Sequence, residues 1–83
     1  MTVHRYTASC HWEGSTGTGY NGYDRTHRVA TPPARSELRL SSDPAFLGDA
    51  DLLNPEQMLV AAASSCQLLS ILELAARACV DVV

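Results

Sequence analysis

The sequence predicts an α+β fold in which a curved antiparallel sheet of about three strands packs on one long, buried central helix. Short stretches of alternating residues in the first half of the chain, separated by residues that favour turns, indicate the strands. An apolar stretch without charge, from Gln57 to Leu72, indicates the helix. The 83 residues contain no internal repeat or second domain, so we expect a single domain over 1–83.

Three strands are predicted where the alternation is bounded by turn residues, namely 4–12, 23–30 and 36–40. Alternation places Cys10 and Trp12 on one face of the first strand, and Arg25 and His27 on one face of the second. Residues 41–53 contain turn signals, so they are predicted as a loop with one short helical turn.

The predicted helix starts at Pro55 and ends near Ala78. Asn54 suits the N-cap position, Pro55 suits the first turn, and Gln57 completes a capping box. The uncharged stretch is shorter and richer in serine than a membrane span, so we expect a helix buried within protein and no membrane partner.

The predicted helix is apolar nearly all round, and three short strands cannot cover it. The last residues, 79–83, have the pattern of an opening strand. We therefore expect a domain truncated at its C-terminal side, incomplete without a second half or a partner subunit. Oligomerisation follows from this mismatch between helix and sheet.

Composition argues against several classes of partner and location. The net charge is -3, and the six basic residues, all arginine, form no basic cluster, so nucleic acid is not an expected partner. Three cysteines at wide spacing do not form the disulfide framework of a small secreted domain. The first residues lack the apolar core of a signal peptide, so the expected location is a reducing, cytoplasmic compartment.

Two sequence patterns match known sites in letters but not in context. Residues 17–22 match the dinucleotide pattern G-x-G-x-x-G, yet no helical apolar face follows to hold a pyrophosphate, so we expect a hairpin loop. Candidate metal ligands without the spacing of a metal site are His4, Cys10, His11 and His27. No cofactor and no metal are therefore expected.

Cys66 lies within the apolar stretch, where a thiol is either an inert core residue or a nucleophile. Reactivity requires a thiolate and therefore a nearby cation, for which Arg25 and Arg28 are the candidates. An arginine against a buried helix needs a carboxylate partner, and Glu56 is the candidate. Because Glu56 and Cys66 are about 15 Å apart along a helix, a site at a dimer interface is the simpler arrangement.

The run 54–57, followed by an alanine-rich helix and Cys66, resembles the OsmC/Ohr family of thiol-dependent hydroperoxide reductases. Members of that family begin the helix with N-P-E-[EQ] and carry the reactive cysteine ten residues after the glutamate, as this chain does. The strand pattern Tyr23-x-Arg25-x-His27 is similar to that of an OsmC-like subgroup. The resemblance covers essentially all of this chain but only the front part of the family's domain.

The resemblance implies an intertwined homodimer with two active sites at the subunit interface. Cys66 would be the peroxidatic cysteine, Arg25 the arginine that activates it, and Glu56 the carboxylate that orients the arginine. Arg28 would replace Arg25 if the strand register slips by one residue. The Cys66 thiolate would attack the O–O bond of an organic hydroperoxide, releasing an alcohol and leaving a sulfenic acid that an external dithiol reduces.

The substrate-binding residues that would favour organic over inorganic peroxides are Met58, Leu59, Leu69 and Trp12. The family's resolving cysteine lies on a second long helix without a counterpart here. Cys79 is about 20 Å from Cys66 along one helix, too far for a disulfide, and the sequence offers no support for Cys10. The alternative is a non-catalytic OsmC-like module for dimerisation or small-ligand binding that lacks a resolving cysteine.

Overall fold

The computed structural model describes residues 2–83 as a three-stranded antiparallel sheet, a short 3₁₀ turn and one long helix. The strands, in the spatial order β1-β2-β3, are β1 (Ser9–His11), β2 (His27–Ala30) and β3 (Glu37–Leu40). The 3₁₀ turn covers Pro44–Phe46, and the helix α1 covers Pro55–Arg77. The predicted α+β class is confirmed, and so is a helical turn within 41–53.

The strands are shorter than the alternation predicted. β1 pairs with β2 only from Ser9 to His11, so most of the predicted strand 4–12 lies outside the ladder. Residues 23–26 of the predicted second strand also lie outside the ladder. Their polar groups form local hydrogen bonds instead, such as the one that the Thr26 N–H donates to the Asp24 carboxylate. The expected strand over 79–83 is wrong, since these residues follow the helix end without pairing.

The register of the sheet separates an apolar face from a polar face. Cys10 lies opposite Val29, which lies opposite Leu38, so these three side chains share one face. On the other face Arg28 lies opposite Arg39, and its guanidinium is 3.8 Å from the Glu37 carboxylate. Arg28 therefore lies on the opposite face from Cys10.

The segment between β3 and α1 is a compact turn with a buried hydroxyl at its centre. Ser41 is buried, its N–H donates to the Leu53 carbonyl at 2.9 Å, and its Oγ accepts the Asp49 N–H at 3.0 Å. Gly48 allows this close packing, because a Cβ there would collide with the Ser42 carbonyl. These contacts fix the start of α1 beside the end of β3.

The predicted capping box at the start of α1 is confirmed. Asn54 is buried, and its Oδ1 accepts the Gln57 N–H at 2.8 Å. The Gln57 Oε1 accepts the Asn54 N–H at 2.9 Å, which satisfies two N–H groups that a helix start leaves free. At the other end, Arg77 and Glu73 form an exposed ion pair of 3.0 Å.

The helix is not covered by the sheet of its own chain, in contrast to the buried helix predicted from the sequence. No residue of α1 is buried. The radius of gyration is 17.9 Å, whereas a compact chain of this length would have about 12 Å. The accessible surface is 7178 Å², against about 4,800 Å² for a compact monomer of this mass. The turn over 41–54 sends the helix away from the strands rather than back across them.

Candidate functional site

A cavity of about 330 Å³ opens on the sheet and is called the sheet cavity below. Its lining consists of Cys10, Trp12, Thr16, Tyr23, Arg25 and His27. Two lining residues come from β1 and the residue that follows it, and the others come from the β1–β2 connection and the start of β2. The volume is at the lower end of the range for small-molecule sites.

Arg25 is the charged group of the sheet cavity, and it is half-buried there. Its guanidinium carbon lies 4.0 Å from the ring centre of Tyr23 and 4.8 Å from that of Tyr20. One Nη donates to the Tyr23 carbonyl at 2.9 Å and the other to the Tyr20 carbonyl at 2.7 Å. Because a guanidinium has five N–H groups, three remain for a ligand or a partner group.

Trp12 forms an apolar wall of the sheet cavity. Its Nε1–H donates to the Asp24 carbonyl at 2.8 Å, and its ring meets Tyr23 edge to face at a centroid distance of 6.1 Å. Gly14 has a φ of 153° and lies so close to the indole that a Cβ would touch it. Trp12 is therefore held in place by a hydrogen bond at Nε1, by the Tyr23 ring and by the close approach of Gly14.

The Asp24 carboxylate stabilises the connection that carries these residues. It accepts the Thr26 N–H at 2.9 Å, and the bonds to the Thr26 backbone and side chain hold the pKa of this carboxyl below its ordinary value. Desolvation opposes this lowering of the pKa, and the backbone of Arg25 and the charge of Arg39 add smaller lowering effects. Asp24 therefore keeps its charge at neutral pH.

His27 and Cys10 complete the polar part of the sheet cavity. His27 Nδ1 lies 2.8 Å from the Arg25 carbonyl, which can only accept, so this nitrogen carries the proton. In the neutral ring, Nε2 is then free to accept a proton. Within residues 2–83, no three His, Cys, Asp or Glu side chains are grouped to hold a metal ion.

The cysteine expected to react lies on α1, where its thiol is exposed. At about 100° per residue, the residues within about 80° of Cys66 around the helix include Met58, Leu59 and Leu69. Leu59 and Leu69 are exposed and Met58 is half-buried. Cys66 and the three apolar residues predicted with it therefore share one side of α1, which is called the Cys66 face below.

Glu56 lies at the start of α1, away from Cys66. It lines a groove together with Asp43, Asn54, Gln57, Val60 and Ala61. Neither this groove nor the sheet cavity includes Cys66. Glu56 is about 15 Å along the helix from Cys66 and about 80° around it, as the sequence indicated.

The chain therefore brings together only some of the predicted site residues. Trp12 and Arg25 share the sheet cavity, whereas Cys66 and Glu56 occupy separate parts of α1. Arg28, the alternative to Arg25, lies on the polar face beside Glu37.

Cys10 and His27 were not predicted as site residues, although both line the sheet cavity with Arg25. The period-two alternation contained the signal, because it placed Cys10 with Trp12 and Arg25 with His27. The alternation could not predict that β1 pairs with β2, and this pairing brings the Cys10 face of β1 next to the His27 face of β2.

α1 is long and apolar enough to cross a membrane, but core helices of soluble proteins meet the same criteria of length and composition. Its middle carries polar side chains at Ser64, Ser65, Gln67 and Ser70. One of them, Ser64, donates to the Val60 carbonyl at 2.9 Å.

Comparisons of the chain with protein-family models, with curated proteins and with solved structures each find no match.

Proposed function

We propose that this chain is a subunit of a cysteine-based peroxidase of the OsmC/Ohr type that reduces organic hydroperoxides to alcohols. The observation that supports this most is the presence of two complementary surfaces on one chain. One is the Cys66 face of α1, with an accessible thiol among apolar residues. The other is the sheet cavity, with the half-buried cation Arg25 beside Trp12. A thiol peroxidase needs both kinds of surface together.

In the proposed reaction, the Cys66 thiolate attacks the outer oxygen of a hydroperoxide, ROOH. The S–O bond forms as the O–O bond breaks, and the leaving alkoxide takes a proton to become the alcohol ROH. Cys66 is oxidised to a sulfenic acid and the peroxide is reduced. Arg25 stabilises the thiolate and then the negative charge on the leaving oxygen. A dithiol reductant of a reducing cytoplasm restores the thiol, and no cofactor is required.

We propose that the two surfaces meet in a homodimer, with the Cys66 face of one subunit over the sheet cavity of the other. The chain has about 2,400 Å² more accessible surface than a compact monomer. Covering this excess on two chains falls in the range of obligate homodimers, about 2,000–5,000 Å² or more in total. A second copy also supplies the Arg25 that the Cys66 of the first lacks. Glu56 would orient that arginine from the helix.

The dimer is tested by charging one leucine on the Cys66 face. Leu69 is 63% exposed, so covering it contributes about 1.3 kcal/mol per site and about 2.5 kcal/mol per dimer. Leu69→Asp should therefore weaken the dimer by roughly 100-fold in Kd, measured by sedimentation equilibrium. Leu68 is 56% exposed and points away from Cys66, so Leu68→Asp should change Kd by less than about threefold. Equal effects of the two variants would contradict this orientation.

The peroxidase reaction is tested by trapping the sulfenic acid. The reduced protein is treated with cumene hydroperoxide, and separately with hydrogen peroxide, in the presence of a dimedone-type reagent, and mass spectrometry locates the adduct. Cys66 should react rapidly with cumene hydroperoxide, while Cys79, which is also exposed, serves as the internal reference. Labelling of Cys66 no faster than that of Cys79, together with no disulfide that contains Cys66, would refute the peroxidase.

One observation favours the alternative, a non-catalytic dimerisation or ligand-binding module. Arg25 donates to two backbone carbonyls and stacks on two tyrosine rings, so it has a structural role in the β1–β2 connection. In this alternative the sheet cavity binds a small apolar ligand beside Trp12. Quenching of the Trp12 fluorescence by such a ligand, without oxidation of Cys66, would support the alternative.

A further inference from the structure

We propose that Cys10 is the resolving cysteine, which forms a disulfide with the oxidised Cys66 of the second subunit. This inference rests on the proposed peroxidase function, because it requires a sulfenic acid at Cys66. It adds a redox role for the sheet cavity that the sequence did not support.

The geometry points to Cys10 because it lines the same cavity as Arg25. If Arg25 stabilises the thiolate of Cys66, the Cys66 sulfur lies within hydrogen-bond distance of the guanidinium, and therefore in the sheet cavity. Cys10 is exposed and is a thiol that this cavity already contains. Cys10 and Arg25 line the same cavity of about 330 Å³, so a sulfur held by Arg25 and the Cys10 thiol open onto one shared space.

His27 gives this thiol a base. Its Nδ1–H donates to the Arg25 carbonyl at 2.8 Å, so Nε2 of the neutral ring is an acceptor. His27 lines the same cavity as Cys10, and Nε2 can take the proton of the thiol when it attacks. Three different chemical groups that resolution needs, a thiol, a base and a cation, therefore lie in one cavity.

The resolving step balances without a further reactant. The Cys10 sulfur attacks the Cys66 sulfur, the S–S bond forms, and the S–O bond of the sulfenic acid breaks. The leaving hydroxide takes the proton from His27 and departs as water. An external dithiol then reduces the disulfide by exchange, becoming a disulfide itself and restoring both thiols.

The Cys79→Ser protein, which keeps Cys10 and Cys66, is treated with one equivalent of cumene hydroperoxide and then alkylated. A non-reducing gel and peptide mass mapping should show a covalent dimer that contains a Cys10–Cys66 peptide pair. Cys10→Ser in this background should abolish the covalent dimer and lengthen the lifetime of the dimedone-reactive sulfenic acid at least tenfold. Cys10→Ala is a second variant without the thiol, and it should give the same result as Cys10→Ser. Unchanged Trp12 fluorescence in both variants verifies that the sheet cavity is still folded.

A mixture of the Cys10→Ser and Cys66→Ser chains provides the decisive control. Each mixed dimer retains one Cys10 facing one Cys66, so mixing should restore one covalent link that neither variant forms alone. A sulfenic acid at Cys66 that persists equally with and without Cys10 would overturn the resolving role and leave the peroxidase intact. A Cys66–Cys66 disulfide, or a Cys10–Cys66 link within one chain, would also overturn it. Absence of any oxidation at Cys66 would refute the peroxidase itself.

Discussion

Replacing Arg25 with methionine tests whether this arginine organises the sheet cavity. Methionine keeps an unbranched side chain but removes the hydrogen bonds of 2.9 and 2.7 Å to the carbonyls of Tyr23 and Tyr20. At this half-buried site each bond contributes about 1 kcal/mol, and each of the two ring contacts contributes about 0.5 kcal/mol. The free energy of unfolding should therefore fall by about 3 kcal/mol.

Arg28→Met is the matched control on the same part of the sheet. The Arg28 guanidinium lies 3.8 Å from the Glu37 carboxylate, and both side chains are about half exposed. An exposed ion pair of this kind contributes less than about 0.5 kcal/mol. The two variants remove the same charge, so the difference between them isolates the contacts that Arg25 makes inside the sheet cavity.

Urea unfolding followed by Trp12 fluorescence measures both variants. Trp12 is the only tryptophan of the chain and lines the sheet cavity beside Arg25, so its emission reports on this region. Protein concentration is held constant, because association contributes to the apparent stability. An Arg25→Met protein that loses no more stability than Arg28→Met would refute the structural role assigned to Arg25. A catalytic role is then tested with Arg25→Lys, which keeps the charge.

Two further predictions concern single polar contacts. Asn54→Ala should lower the free energy of unfolding by about 1 kcal/mol and reduce the helical signal in circular dichroism, whereas Asn54→Ser should retain most of the cap. The Asp24 carboxyl has a pKa below its ordinary value of 3.8, so the stability that it contributes is fully present above that value. That stability should be lost as pH falls through the lowered pKa. Trp12 emission between pH 5 and pH 2 should show this transition, and Asp24→Asn should flatten it.

The sequence was most informative where structure depends on neighbouring residues. The capping box of Asn54 and Gln57 was predicted correctly because its groups are three residues apart, and local hydrogen bonds form in any helix that starts there. The helical turn within 41–53 followed from turn residues in the same way. The strand lengths were overestimated, because alternation continues beyond the residues that find a partner across the ladder.

The candidate site was predictable only in part, for a related reason. Alternation placed Cys10 with Trp12 on one strand and Arg25 with His27 on another, but nothing in the sequence joined the two pairs. The antiparallel pairing of β1 with β2 joins them in the sheet cavity. The role of Cys66, inferred from its spacing to Glu56 within a single helix, stays a prediction.

The sequence by itself determined the α+β class, the start of α1 and the polar and apolar sides of the strands, because these depend on contacts within a few residues. The tertiary structure decided that Arg25 and Cys10 line one cavity, whereas Arg28 lies on the polar face beside Glu37. It also decided that α1 leaves the sheet uncovered, although its composition predicted burial. The direction of a helix depends on the turn before it, here the packing around Ser41 and Gly48, and apolar composition does not specify that direction.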